Sequence, residues 1–263
     1  MRASVNGIEI DYQLDGPAGA AVVMLSHSLA ATREMWKPQL PALTKDYRVL
    51  NYDMRGHGRS SAPAGPYSFA MLAADAVALL DHLEIPRVAF VGLSIGGMIG
   101  QHLAIHHADR LRCAVLCSTT SALPAAARPV WDERIAAVEA GGMATQAAST
   151  LERWFTGPYR AAHPDVMEWI GGMIRSTPAA GFVGCGRAIQ GLDITAELPK
   201  IRLPVLVLPG EKDPGTPPAM SEVIHRALPG SEYAVVPDAA HLANIEQAGE
   251  FTRIVTGFLA RYR

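Results

Sequence analysis

Short apolar runs alternate with longer amphipathic stretches along most of this 263-residue chain. Val22-Val23-Met24-Leu25, Tyr47-Arg48-Val49-Leu50-Asn51-Tyr52, Val88-Ala89-Phe90-Val91, Leu111 to Cys117 and Val205-Leu206-Val207-Leu208 have the length and composition of strands, several of them apolar enough to be covered on both faces. Tyr233-Ala234-Val235-Val236 adds a short β-like run. Between these, Glu34 to Leu43, Phe69 to Leu83, the stretch opened by Gly97-Met98-Ile99-Gly100, Met220 to Leu228 and Phe251 to Leu259 read as helices. At the N-terminus two short strands flank Asn6-Gly7, a hairpin signal because such turns need positive φ. Strand and helix in alternation imply an α/β fold: a mainly parallel central sheet with helices on both faces. There is no internal repeat and no low-complexity segment.

The alternation breaks between about Ser121 and Lys200. An ordinary connection would be one helix with short loops, whereas this stretch is helical throughout and holds three of the four tryptophans, Trp131, Trp154 and Trp169. It reads as an inserted helical cap, residues 121–200, on a core built from residues 1–120 and 201–263. Ligand clefts of open α/β sheets lie at the C-terminal ends of the strands, so the cap is expected to close a largely apolar cavity there.

Charge narrows the function classes. The formal net charge is −2 with acids and bases interspersed, which points away from nucleic acid and anionic membrane surfaces. The N-terminus lacks a long apolar leader and no apolar run approaches membrane-spanning length, so a cytoplasmic protein is expected. Cys113, Cys117 and Cys185 form no C-x-x-C pair and read as buried small hydrophobes. His102 and His106 stand at i, i+4, but no Glu follows in metalloprotease register, so no metal and no cofactor are expected. Oligomeric state is left open by the sequence.

The chemistry is concentrated in Gly92-Leu93-Ser94-Ile95-Gly96, which follows an apolar run and opens a helical stretch. A serine at a sharp strand-to-helix turn is held in a strained conformation with its hydroxyl exposed, and the flanking glycines let neighbouring backbone pass. Such a nucleophile needs a base and an acid. Of the downstream histidines, His225 sits in a helical pattern, whereas His241 follows the Tyr233–Val236 run and the Pro237-Asp238 turn, on a loop past a strand end. The acid is expected after the Val205–Leu208 run, where Asp213 is the first candidate and Glu211 the second. A dehalogenase or epoxide hydrolase would need Asp where Ser94 stands.

With serine, acid, base and cap in place, the chain resembles the α/β-hydrolase superfamily, and within it the 3-oxoadipate enol-lactonases. The stretches that carry the resemblance are Met35-Trp36-Lys37-Pro38-Gln39-Leu40, Asp53-Met54-Arg55-Gly56-His57-Gly58, Gly65-Pro66-Tyr67, Gly92 to Gln101, Leu151-Glu152-Arg153-Trp154-Phe155-Thr156, Thr216-Pro217-Pro218-Ala219 and Ala240-His241-Leu242-Ala243-Asn244-Ile245-Glu246-Gln247. It implies a Ser94–His241–Asp213 triad, an oxyanion hole from the Leu29 and Ile95 amides, and substrate contacts from Trp36, Trp131 and Arg134. The ligand implied is a small ester or lactone carrying a carboxylate, for which the cap offers Arg128, Arg134, Arg153, Arg175 and Arg187; Trp131-x-x-Arg134 places its two residues on one helix face. One departure stands out: His27 and Ala30 replace the Asn and Gly expected beside the oxyanion hole, which bears on substrate identity. A carboxylesterase or another lactonase is the enzymatic rival, and a slow-turnover small-ligand receptor the non-enzymatic one.

Overall fold

Eight strands form one sheet in the order β1-β2-β4-β3-β5-β6-β7-β8 in a computed structural model that describes residues 1–263. β1 (Arg2–Val5) and β2 (Ile8–Asp15) are antiparallel and turn at Asn6-Gly7, whose φ angles are 48° and 76°. β3 (Val22–Ser26), β4 (Arg48–Tyr52), β5 (Val88–Leu93), β6 (Leu111–Cys117), β7 (Val205–Leu208) and β8 (Glu232–Tyr233) run parallel to their neighbours, and β2 meets β4 antiparallel. β5 and β7 are buried along their whole length, which is why they read as unbroken apolar runs.

Helices fill the alternate positions: α1 (Leu40–Asp46), α2 (Phe69–His82) and α3 (Ile95–His106) precede β6, and α4 (Arg128–Gly141), α5 (Ala144–Trp154), α6 (Gly157–Ala162), α7 (Pro164–Ser176) and α8 (Ala179–Gln190) fill the β6–β7 connection. α9 (Pro218–Ala227), α10 (Ala243–Glu246) and α11 (Ala248–Leu259) complete the chain. No helix is long and apolar enough to cross a membrane. All three cysteines are buried.

Two elements differ from the sequence reading. Glu34 to Leu43 is not one helix: Arg33–Trp36 is a 3₁₀ turn, and α1 begins only at Leu40. Pro38 has no N–H to give the Glu34 carbonyl, so the bonds there tighten to Lys37 N–H on Glu34 O and Gln39 N–H on Trp36 O. The Tyr233–Val236 run pairs as a strand only at Glu232–Tyr233, because β8 is the sheet edge and Pro237 ends it. Its ladder continues irregularly, with Val236 N–H on the Pro209 carbonyl at 2.9 Å.

The α4–α8 layer rests on the sheet half at close range. Gly181 of α8 lies against Gly56, so near that a Cβ on Gly181 would stand 1.8 Å from the Gly56 oxygen. One turn later Gly184 packs on Tyr67, where a Cβ would meet the ring at 2.9 Å. Glycine at these positions is a packing requirement.

Candidate active site

The β5–α3 turn holds Ser94 at φ 60°, ψ −117°, a conformation costly for any residue with a side chain. A Cβ on Gly92 would stand 2.2 Å from the Gly96 carbonyl, and one on Gly96 would stand 2.3 Å from the Ser26 carbonyl. Both glycines of the motif are therefore fixed by steric need. Ile95 is the first residue of α3, so its N–H has no acceptor within the helix.

The loop after β3 meets this turn. Its amides are engaged at Ser28, which donates to Met35 Sδ, and at Ala31, which donates to the Ser28 carbonyl, while the Leu29 N–H donates to nothing in the protein. Ala30 takes φ 60° and donates its N–H to His57 Nε2 at 3.0 Å. Leu29 and Ile95 thus leave two amides without a protein acceptor on the two segments that meet at Ser94.

Asp213 and His241 meet across two other loops. His241 Nδ1 lies 2.7 Å from Asp213 Oδ2, and the His241 side chain is 8 % exposed. Asp213 also accepts Gly215 N–H at 2.8 Å, Thr216 N–H at 3.0 Å and the Thr216 hydroxyl at 2.7 Å. Burial pushes its pKa up, but the facing His241 and the Thr216 amide and hydroxyl more than offset this, leaving the carboxyl below its ordinary range. Thr216 was in the sequence stretch but carried no assigned role, because a side chain bonding three residues back is invisible without the turn geometry.

Ser94, His241, Leu29 and Ala30 open on a cavity of about 270 Å³ between the strand ends and the α4–α8 layer. The layer contributes Trp131, Arg134, Thr150, Arg153 and Trp154 to its wall. No hydrogen bond joins Ser94 to His241 in this state, and such bonds often tighten only around substrate. Arg134 stacks on Trp131 at 4.3 Å and on Phe182 at 5.3 Å, and its one hydrogen bond goes to Gln146 Oε1 at 3.2 Å. Burial, with Arg153 adding like charge, pushes its pKa down to about 9. No Asp or Glu lines the cavity.

Other sequence candidates fall elsewhere. Trp36 is not a cavity residue: it is 0 % exposed and packs on Phe251 of α11, 6.1 Å between ring centroids. Glu211 accepts the Asp238 N–H on the surface and does not approach His241. His225 lies in α9, bonded to Ser231. Arg175 pairs with Glu168, Arg187 with Asp132, and Arg128 is exposed. His27 is buried beneath the loop that follows β3, accepting Met54 N–H at 3.0 Å, and does not line the cavity. Its presence therefore says little about the substrate.

His27 and His57 carry a pH dependence. Burial pushes the pKa of His27 down to about 4, against a raising bond to the Ser28 carbonyl; burial and neighbouring His27 push His57 down to about 3. Below the ordinary imidazole value of 6.5 the unfolded chain takes up protons that the folded chain refuses. Stability is thus fully present above that value and is lost as pH falls toward the folded values, by up to about 1.4 kcal/mol per pH unit for each histidine. His57→Gln keeps an acceptor for Ala30 and removes one titration. Melting temperature should then fall less steeply with acid than in wild type; an unchanged slope would assign the acid sensitivity to other groups.

Comparison with known proteins follows the same lines. The family model for the alpha/beta hydrolase fold matches residues 21–248. The chain is 33 % identical to 3-oxoadipate enol-lactonase 2 of Acinetobacter baylyi over 97 % of its own length and 94 % of the relative's. Among solved structures, the enol-lactonase from Burkholderia xenovorans superposes with a TM-score of 0.96 at 39 % identity, covering 99 % of this chain and 100 % of that one. A malate-bound thermophilic esterase from Thermogutta terrifontis gives 0.93 at 29 % identity, covering 100 % and 98 %. The chain therefore belongs to the α/β-hydrolase family, and within it is similar to the 3-oxoadipate enol-lactonases over nearly its entire length.

Proposed function

We propose that this carboxylic ester hydrolase opens a small enol-lactone bearing a carboxylate, 3-oxoadipate enol-lactone or a near analogue, through an acyl-enzyme on Ser94. Residues 121–200 serve as the cap that selects the substrate. The observation that carries the reading is the meeting of both halves in one cavity: Ser94 and the His241–Asp213 pair on one side, Arg134 without an acidic partner on the other. A cation half-buried against the Trp131 and Phe182 rings, with no acidic partner, is stabilised when an anion completes it.

Ser94 Oγ bonds the lactone carbonyl carbon while His241 Nε2 takes its proton, and Asp213 holds the tautomer and stabilises the imidazolium. The oxyanion lies between the Leu29 and Ile95 amides, each donor contributing about 3 kcal/mol to the transition state. The ring C–O bond breaks and the proton on His241 passes to the departing enol oxygen. That enol becomes a ketone, which opposes re-closure. Water then adds to the acyl carbon, giving one proton to His241, and Ser94 leaves with that proton; the carboxylic acid so formed loses its remaining proton to solvent as the second carboxylate.

Arg134→Met is expected to lower kcat/KM for a carboxylate-bearing enol-lactone by about 30- to 1,000-fold, mainly through KM, since the contact exists in ground and transition states alike. A neutral aryl ester should lose little, as it has no charge to forfeit. Equal losses on both would mark a packing defect and remove Arg134 from recognition. The second reading, a plain short-chain carboxylesterase, is favoured by Ala30 at the oxyanion loop. Steady-state rates on enol-lactones, saturated lactones and aryl esters decide between them: a wild-type enzyme indifferent to the carboxylate supports the esterase.

A further inference from the structure

Glu246 ends α10 and is 7 % exposed, and the reaction as written does not use it. Its Oε1 accepts the Thr156 N–H at 3.0 Å and the Thr156 hydroxyl, and its Oε2 accepts the Ala240 N–H at 2.8 Å. All three donors are neutral. A buried carboxylate is tolerable only when such bonds replace its water, and charge-assisted bonds of this type are the stronger class. Here the donors come from two parts of the chain: Thr156 from the α5–α6 connection, Ala240 from the loop before α10. Parting them would strip a buried charge of its partners.

Those two parts flank the imidazole. Ala240 immediately precedes His241, and Trp154, two residues before Thr156, stacks on the His241 ring with centroids 6.3 Å apart and planes at 24°. Leu242, just after the histidine, donates its N–H to the Trp154 carbonyl at 3.1 Å. The Tyr159 hydroxyl reaches the Ile245 carbonyl at 3.4 Å. Asp213 fixes one edge of the ring; this second set of contacts fixes its face and its backbone.

We infer that Glu246 is a positioning residue: it clamps the α5–α6 connection to the His241 loop, so that seating of the α4–α8 layer sets where the base stands. The inference rests on the reading of His241 as the base. Without the clamp the layer still forms its cavity wall, but the imidazole is free to drift from Ser94. A misplacement on the ångström scale can cost up to about a hundredfold in rate.

The test compares Thr156→Val, Thr156→Ser, Glu246→Gln and the Thr156→Val/Glu246→Gln double variant, by kcat and KM on an aryl ester and by the NMR signals of the His241 imidazole. Thr156→Val and Glu246→Gln should each lower kcat about ten- to a hundredfold, move KM by less than about twofold and shift or broaden the His241 signals. Thr156→Ser, which keeps the hydroxyl, should restore both. The double variant should be no worse than Glu246→Gln alone, because both changes break one coupled unit. Thr156 also caps α6 through the Tyr159 N–H; loss of the cap alone would lower melting temperature without this kcat signature. If Glu246→Gln does not fold, Thr156→Val decides. A folded Thr156→Val with wild-type kcat and unmoved His241 signals overturns the clamp, as do fully additive losses in the double variant. His241→Ala separates the two levels: if it is inactive while Thr156→Val is indifferent, only the clamp fails, whereas an active His241→Ala overturns the base assignment.

Discussion

Ser94→Ala should lower kcat by roughly 10⁵- to 10⁶-fold, a loss that removal of His241 should match. The residual rate would come from the Leu29 and Ile95 amides and the cavity, which the substitution leaves in place. Alanine is small enough for the turn, although the φ of 60° that Ser94 holds remains strained for it. The fold should therefore survive, and circular dichroism together with an unchanged melting profile checks that it does. An organophosphonate should add once per wild-type chain, at Ser94, and not at all to the variant. More than about 1 % of wild-type activity in a clean Ser94→Ala preparation would assign the nucleophile elsewhere.

Asp213→Asn should depress kcat by about 10⁴-fold while leaving KM nearly unchanged. The asparagine side chain fits the same turn, and its oxygen can still accept from Gly215 and Thr216, which bond Oδ1 in the native site. Its amide nitrogen then faces His241 Nδ1 in place of Oδ2, and it donates where the carboxylate accepted. The ring proton is driven to Nε2, where it blocks uptake of the serine proton. Glu211→Gln is the matched control, since Glu211 bonds only a surface amide, and should change kcat by less than about twofold. Reversal of the two results would reassign the acid. The depressed pKa of Asp213 keeps it ionised across the range in which an enzyme of this kind works, so the acid limb of the rate profile should not report on Asp213.

The sheet and the turn at Ser94 were legible because local chemistry specifies them. β5 is apolar throughout, and the positions of Gly92 and Gly96 leave no room for a side chain. Asp213 and His241 could be read from their places after β7 and β8, since strand ends of a parallel sheet converge on one edge. Trp36 lies away from the cavity although its neighbourhood in sequence is the loop after β3, which reaches the cavity at Leu29 and Ala30, because its side chain packs into the contact with α11. Direction of that kind depends on the 3₁₀ turn Arg33–Trp36 and the Lys37–Gln39 turn after it, which apolar periodicity does not encode. Glu246 and Thr156 lie ninety positions apart, and nothing in either local pattern announces the other. Arg134 could be singled out through its spacing from Trp131, but only the three-dimensional arrangement adds Arg153 to the cavity wall and shows Arg175 and Arg187 engaged with acidic partners on the surface.

The glycine contacts of α8 bear on how such a protein can be recombined. Gly56 belongs to the sheet half and Gly181 to the helical layer, and a Cβ on Gly56 would stand 2.4 Å from the Gly181 Cα. Gly184 meets Tyr67 with similarly little clearance, and Gly65 would bring a Cβ within 2.9 Å of the Gly184 Cα. Interiors packed at this density do not absorb even one added methyl without shifts elsewhere. Residues 121–200 consequently do not behave as an interchangeable part, although both ends of the segment leave and rejoin the chain between neighbouring strands. A chimaera that takes this segment from one relative and the sheet from another is strained wherever it brings a larger residue to the Gly56, Gly65, Gly181 or Gly184 position, so both sides of the contact should travel together. Crossover points for building hybrids are therefore better chosen ahead of Gly56, within the first strands, than at the visible boundaries of the helical layer.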